Sequence, residues 1–302
     1  FRANGKNIIM KYAFFGTPDF AAVILEKLVA FNFPPTLVVC NHDRPVGRKH
    51  IITPPPTKVL AKKYKIPIFQ PETLVNFKFP ACPAGRQILP QCGIPPSGTN
   101  SKFDFFVVAA YAKIITKEIL AIPRLGAIGV HPSLLPKYRG PSPIQSAILN
   151  GDSETGVSLF LIDEKVDHGK ILATSHLPLG INDNYETLME KLAELGGDLL
   201  VETLPKFIKG EITSLPQDEN KATYTKKFIT EDGYVDLQKD KPAAIERKIR
   251  ALNPEPGVYA LMEIKSEKKR VKFLESELVD GKLKLTKIQV EGGKPQNICR
   301  II

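Results

Sequence analysis

No stretch of this 302-residue chain approaches the roughly 18 to 20 consecutive apolar residues that a membrane-spanning helix requires, and its first residues lack the apolar centre of a secretory signal. A cytoplasmic location is the expectation. Cysteine is equally sparse: Cys40, Cys82, Cys92 and Cys299 are scattered without C-x-x-C spacing, which argues against both a zinc site and a disulfide framework. Free thiols and no metal are expected. Acidic residues are in deficit, 32 against 42 Lys and Arg, leaving a formal charge of +10. A surface of that sign favours a polyanionic partner, because contacts to phosphates release counterions, so nucleic acid is the first candidate. G-x-G-x-x-G is missing too, although the opening strand, glycine turn and helix follow a Rossmann-like order. No dinucleotide is implied.

What the chain does have is enough apolar material, 43% of residues, for two domains with cores of their own. Met10 reads as the native start, residues 12–15 as a buried strand, and Thr17 with Pro18 as the N-cap and first position of a helix over 19–30. A second strand at 36–40 leads into a basic, turn-rich loop over 41–56, followed by a helix at 57–64 and an extended piece at 67–70. Residues 77–101 are dense in Pro and Gly and read as an inserted surface loop without an assigned function. Another strand spans 103–109. Downstream, 141–149 is a short helix stopped by Asn150-Gly151, and Asp183 with Glu186 resembles a capping box before a helix whose apolar positions include Leu188, Leu192, Leu195, Leu199 and Leu200. The first domain is therefore placed at 10–210. A polar, Pro-containing linker follows at 211–223. Residues 224–302, with a helix over 242–252 and strands at 258–264, 270–278 and 282–290, suggest a small β-barrel.

The stretch GVHPSLLPKYRG (129–140) organises the rest: an apolar strand ends in His131, and Pro132 and Pro136 then forbid both a helix interior and a central strand. The pattern predicts a preformed loop that displays His131 beside an exposed Leu134-Leu135 pair. A second apolar run at 157–162 ends in Asp163, Glu164, Lys165, Val166, Asp167, His168 and Gly169. In an open α/β sheet the carboxyl ends of the strands share one crevice, so His131 and Asp167 can face each other there.

HPSLLPKYRGPSPIQSAI followed by ETGVSLFLIDEKVDHGKIL resembles the folate-dependent formyltransferases, and FFGTPDFA (14–21), HDRPVGR (42–48) and VVAAYAKII (107–115) resemble in particular the branch of that family that acts on charged tRNA. The resemblance covers roughly residues 10–302 apart from the insertion. It implies a Rossmann-like formyltransferase domain followed by a small OB-like β-barrel domain. It implies as donor 10-formyltetrahydrofolate, as acceptor the α-amine of initiator methionyl-tRNA, a role in translation initiation, and a monomer. Residue by residue it carries over His131 and Asp167 as catalytic. Ser133, Leu134, Leu135, Pro136, Ile114, Ile115 and Asp163 fall to the folate; Arg44, Arg48 and Lys49 fall to the tRNA. The basic residues of the barrel (Lys239, Lys241, Arg247, Lys248, Arg250, Lys268, Lys269, Arg270) fit contacts to the tRNA backbone.

Formyl transfer to an amine needs a neutral nucleophile, a proton acceptor and a stabiliser for the tetrahedral oxyanion, and a carboxylate-aligned imidazole serves these needs. One departure bears on rate. The family pattern is N-x-H, and this chain has Gly129 in place of the asparagine. Loss of one oxyanion donor typically costs on the order of 10² to 10³ in rate. A second departure, Ala112 where glycine follows the tyrosine, is milder. Two competing expectations follow: a sugar-nucleotide formyltransferase, which shares the SLLP loop, or a tRNA- or folate-binding homologue with impaired turnover.

Overall fold

The computed structural model describes residues 10–47, 49–74, 103–264 and 266–301, together with a short antiparallel ladder between Arg2–Ala3 and Lys6–Asn7. The insertion expected at 77–101, Cys82, Cys92 and Arg48 lie outside the described residues.

β1 (Tyr12–Gly16) is buried along its whole length, as a strand covered on both faces must be. α1 (Asp19–Ala30) follows, burying Phe20, Ala21, Ile24, Leu25 and Leu28 along one stripe. Its N-cap is Pro18 rather than Thr17: the Pro18 carbonyl takes the N–H groups of Ala21 and Ala22, whereas Thr17 Oγ1 accepts from the Asn41 N–H at 3.3 Å. The hydroxyl is used across the sheet instead of along the helix.

The chain continues through β2 (Leu37–Val39), β3 (Arg44–Val46), β4 (Ile51–Thr53), α2 (Pro56–Lys63) and β5 (Ile68–Phe69). Beyond residue 102 come β6 (Phe105–Ala109), α3 (Lys117–Leu120), β7 (Ala127–His131), α4 (Pro143–Asn150), β8 (Glu154–Leu161), β9 (Ile171–Pro178) and α5 (Tyr185–Ile208). A seven-stranded sheet runs β9-β8-β7-β6-β1-β2-β5. Five of these strands, β5, β2, β1, β6 and β7, are parallel, and β8 returns antiparallel to β7. Chain order reverses about β1, which has β2 on one side and β6 on the other. The parallel strands therefore end along one edge at a topological switch point, and His131 is the last residue of β7. Beneath that edge Phe15, Val39, Phe103, Phe106 and Ile119 pack into one core.

Sequence and structure part company in two further places. β3 and β4 form an exposed antiparallel ribbon within what reads as an irregular loop, turning at Gly47 (φ 69°). The cap of α5 is Asn184, whose Oδ1 accepts the Thr187 N–H (2.9 Å) while Thr187 Oγ1 accepts the Asn184 N–H (3.1 Å). Asp183 instead accepts from the Gly180 N–H and the Thr187 hydroxyl. The capping box sits one residue later than expected because Asn184 and Thr187 satisfy each other.

Two compact units divide the chain. Phe1–Arg139, Gly156–His176 and Glu190–Ala222 form the first, and Gly140–Thr155, Leu177–Met189 and Thr223–Ile302 form the second. The stretch expected as a linker is tied into the first unit, where Leu215 and Ile171 exchange both backbone hydrogen bonds (2.8 and 2.9 Å). In the second unit α6 (Pro242–Leu252) buries Ile245, Ile249 and Leu252, and β10 (Val258–Ile264), β11 (Glu267–Val279), β12 (Lys282–Val290) and β13 (Gln296–Ile301) make an antiparallel sheet in that order. This arrangement is consistent with an OB-like domain. β13, mostly exposed, was not legible as a strand. No helix among the described residues is long and apolar enough to cross a membrane.

Candidate active site

β7 delivers His131 almost buried, 7% exposed, at the carboxyl edge of the sheet. Its ring Nε2–H donates to the Tyr138 carbonyl at 2.9 Å; a carbonyl can only accept, so the proton on Nε2 is assigned by its partner. The other nitrogen, Nδ1, lies 3.6 Å from Asp167 Oδ2, too long for a direct hydrogen bond but close enough for a charge contact in a half-buried place. The two residues expected to meet do meet.

Each side of this pair is held by a non-glycine residue in left-handed backbone, Tyr138 at φ 62° and Asp167 at φ 47°. Such conformations persist only where neighbours over-determine them, and they concentrate at functional sites. On the Asp167 side, Gly169 is packed so closely on the Leu161 carbonyl that a Cβ would not fit. The turn is further fixed by Lys165 N–H donating to Asp163 Oδ1 (2.9 Å) and by Gln217 Nε2 donating to the carbonyls of Asp167 (2.9 Å) and Gly169 (2.8 Å).

The residues expected around the folate divide into two groups. Ser133 and Leu135 are buried, at 0% and 6% exposure, and Leu134 and Pro136 are half-buried. The exposed Leu-Leu pair is therefore not there: Leu135 N–H donates to Ser158 Oγ, Ser158 Oγ donates to the Ser133 carbonyl, Ser133 Oγ donates to the Lys137 carbonyl (2.6 Å), and Leu134 lies against Gly156. Proline stiffness turned the leucines inward because Gly156 leaves room for one of them and Ser158 anchors the backbone. Beyond β6, by contrast, Ile114 is 89% exposed, while Ile115 is half-buried against the core. Asp163 is exposed and accepts from His168 Nδ1–H at 2.6 Å. Arg44 on β3 and Lys49 in the ribbon turn are exposed, as are the apolar Val46, Ile51 and Ile52 beside them.

Two buried polar atoms near the carboxyl ends of β2 and β6, Asn41 Oδ1 and the Tyr111 hydroxyl, have no hydrogen-bond partner. Burial pushes the Tyr111 hydroxyl up to about 12, and Cys40 nearby reinforces the shift. Cys40, itself buried, is raised to about 11 by desolvation. Both stay neutral at physiological pH.

Gly129 has a physical explanation in β8. Phe160 pairs directly with it across the β7–β8 ladder, and a Cβ added at 129 would come within 2.5 Å of Phe160 Cζ. The ring covers the bare glycine and also meets His131 edge-on, 6.4 Å between centroids at 89°. An asparagine side chain has no room there unless Phe160 moves.

Three residues escaped the sequence reading. Arg139 is fully buried, with Nε and Nη2 donating to Gln217 Oε1 (3.1 and 2.8 Å) and Nη1 and Nη2 to the Glu219 carboxylate (3.0 and 2.6 Å). The Arg139 guanidinium holds the Glu219 carboxyl below its ordinary value. The YRG of the loop was a visible signal for Arg139. Gln217 and Glu219 sit in a polar stretch without periodicity and gave none.

A Rossmann-like sheet brings the imidazole at the end of β7 to a carboxylate on the turn between β8 and β9, an antiparallel sheet domain follows it in the chain, and the chain belongs to the formyl transferase family. Residues 10–204 match the formyl transferase domain and residues 227–299 match the formyl transferase C-terminal domain. The relatives narrow this further: a methionyl-tRNA formyltransferase of Staphylococcus aureus (strain MW2) is 40% identical over 271 residues, 89% of this chain and 80% of that protein. Among solved structures, a sugar 3N-formyl transferase aligns with TM-score 0.60 at 18% identity, covering 98% of this chain and 99% of that one. An N-formyltransferase from Helicobacter canadensis, solved with folinic acid and dTDP-3-aminofucose, aligns with TM-score 0.61 at 18% identity, covering 97% of this chain and all (100%) of that one. At that identity the structural likeness speaks for the fold alone.

Proposed function

We propose that this protein transfers a formyl group from 10-formyltetrahydrofolate to the α-amine of initiator methionyl-tRNA, in the cytoplasm and as a monomer. The observation that carries the proposal is the His131–Asp167 contact, 3.6 Å apart at the carboxyl edge of the sheet, in a chain 40% identical over 271 residues to a methionyl-tRNA formyltransferase. A flat heterocyclic donor suits the exposed Ile114, which offers an apolar face beyond β6. Ser133, Leu134, Leu135 and Pro136, a loop fixed by its hydrogen bonds to Ser158 and to the Lys137 carbonyl, and the exposed Asp163 are the further residues assigned to the donor.

The donor supplies the formyl carbon: the α-amine adds to it and gives a proton to His131, and as the tetrahedral intermediate collapses the formyl C–N10 bond breaks and N10 takes that proton, releasing tetrahydrofolate. With Nε2 committed to the Tyr138 carbonyl, Nδ1 of His131 is the nitrogen left to take the proton that the attacking amine gives up. Asp167 stabilises the imidazolium so formed. An α-amine is partly neutral at physiological pH, its free pKa being about 8, so positioning carries a large share of the work. Phe160 fills the place of the family asparagine, which supports a transfer slower than that of a relative carrying the amide. Arg44, Arg48 and Lys49 are assigned to the aminoacyl end of the tRNA through their charge, and the C-terminal domain to its body through contacts with the tRNA backbone.

The test is incubation of the full chain with methionyl-tRNA and 10-formyltetrahydrofolate. Formyl-methionyl-tRNA that disappears in His131→Asn supports the reading. No product at saturating substrates with retained tRNA binding favours the impaired binding homologue. Turnover of an amino-sugar nucleotide without tRNA binding favours the sugar-nucleotide enzyme.

A further inference from the structure

Gln217 belongs to a stretch that reads as a passive linker, yet its amide has all its hydrogen-bonding capacity in use. Nε2 donates one hydrogen to the Asp167 carbonyl (2.9 Å) and one to the Gly169 carbonyl (2.8 Å), while Oε1 accepts from Nε and Nη2 of Arg139. Reversing the amide would set its hydrogens against a guanidinium and its oxygen against two carbonyls, so the partners fix its orientation. Arg139 directly follows Tyr138, whose carbonyl holds His131. One side chain thus grips both halves of the candidate catalytic pair: the Asp167 turn through its nitrogen and the His131 loop through Arg139.

We propose that Gln217 is a positioning residue that sets the distance between His131 and Asp167, an inference that rests on the reading of those two residues as catalytic. Its anchor is local. Leu215, two residues earlier, is paired to β9 at Ile171, and Glu219, two residues later, is clamped by Arg139. The left-handed backbone at Asp167 needs such support, since an aspartate relaxing from φ 47° would carry its carboxylate away from Nδ1. Gln217 touches neither the donor nor the acceptor in this scheme.

Two variants separate positioning from simple packing. Gln217→Ala removes the whole strut. Gln217→Glu keeps the acceptor for Arg139 but can no longer donate to the two carbonyls. The expected result in both is a kcat for formyl-methionyl-tRNA synthesis lower by roughly 10- to 100-fold, with KM for 10-formyltetrahydrofolate and for methionyl-tRNA within about threefold of the parent. Independently of turnover, the His131 ring Cε1–H resonance, identified by its disappearance in His131→Asn, shifts in both variants while those of His42, His50 and His176 stay in place. A kcat within twofold of the parent in Gln217→Glu, an unmoved His131 resonance, or a rise in KM at constant kcat would each overturn the inference. So would loss of the folded state in both variants, because the side chain would then serve the fold itself. If the parent transfers no formyl group, the proposed reaction falls, and the resonance still decides whether Gln217 positions His131.

Discussion

Two histidine–carboxylate pairs flank the same turn, and they are built in opposite ways. His168 and Asp163 make a short contact of 2.6 Å at 30% and 41% side-chain exposure, whereas His131 and Asp167 stand 3.6 Å apart at 8% and 22% exposure. By length alone the first pair is the better one. Water reaches its exposed carboxylate, however, the other ring nitrogen of His168 faces the Glu219 carboxylate at 3.6 Å, and an ion pair at the surface contributes about 0 to 1 kcal/mol. The buried pair sits at the edge where five parallel strands end, with one imidazole nitrogen committed to a carbonyl and with left-handed backbone on both flanks. Proximity identifies a salt bridge; burial, a committed partner and stored backbone strain identify a site.

That contrast can be broken from either end. His131→Asn is expected to reduce formyl transfer most, by roughly 10³-fold, and Asp167→Asn by roughly 10²-fold, measured as single-turnover rates. The double variant is expected to be no worse than His131→Asn, since the two act as one unit. An additive loss would show that they work separately. Gly129→Asn is expected to cost about 1 to 3 kcal/mol of stability in a denaturant titration because it overlaps the Phe160 ring. Combined with Phe160→Leu it should fold at near-parental stability and gain up to about 10²-fold in rate; no gain would mean that the oxyanion is already served. At the exposed pair, His168→Asn should change rate by less than about threefold and stability by less than about 1 kcal/mol.

The smallest effect is an acid-side one at Glu219, whose carboxyl Arg139 holds below its ordinary value of 4.5. Its contribution to stability is present above that value and is lost as pH falls through the lowered one. The thermal midpoints of the parent and of Glu219→Gln should therefore differ at pH 7 and converge towards pH 3.

The meeting of His131 and Asp167 could be read from the sequence because its signals are local: an apolar run, a histidine, two prolines, and an aspartate just past a second run. Helix α6 and strands β10 and β12 have the expected bounds for the same reason, regular periodicity over seven or more residues. What could not be read depends on partners distant in the chain. Arg139 and Gln217 are 78 positions apart, and nothing in a polar stretch foretells which amide will reach a turn. Leu135 was misjudged because its burial depends on Ser158, 23 positions away. The β3–β4 ribbon was missed because its exposed residues give no buried stripe to detect.

Phe160 over Gly129 also bears on how this site can change. Whichever of the two positions mutates first meets a penalty: an asparagine arriving alone collides with the ring, and a smaller residue replacing the ring alone leaves bare backbone beside His131. The pair is epistatic, and a mutational walk towards an amide at this point must cross a less stable intermediate or move both residues together.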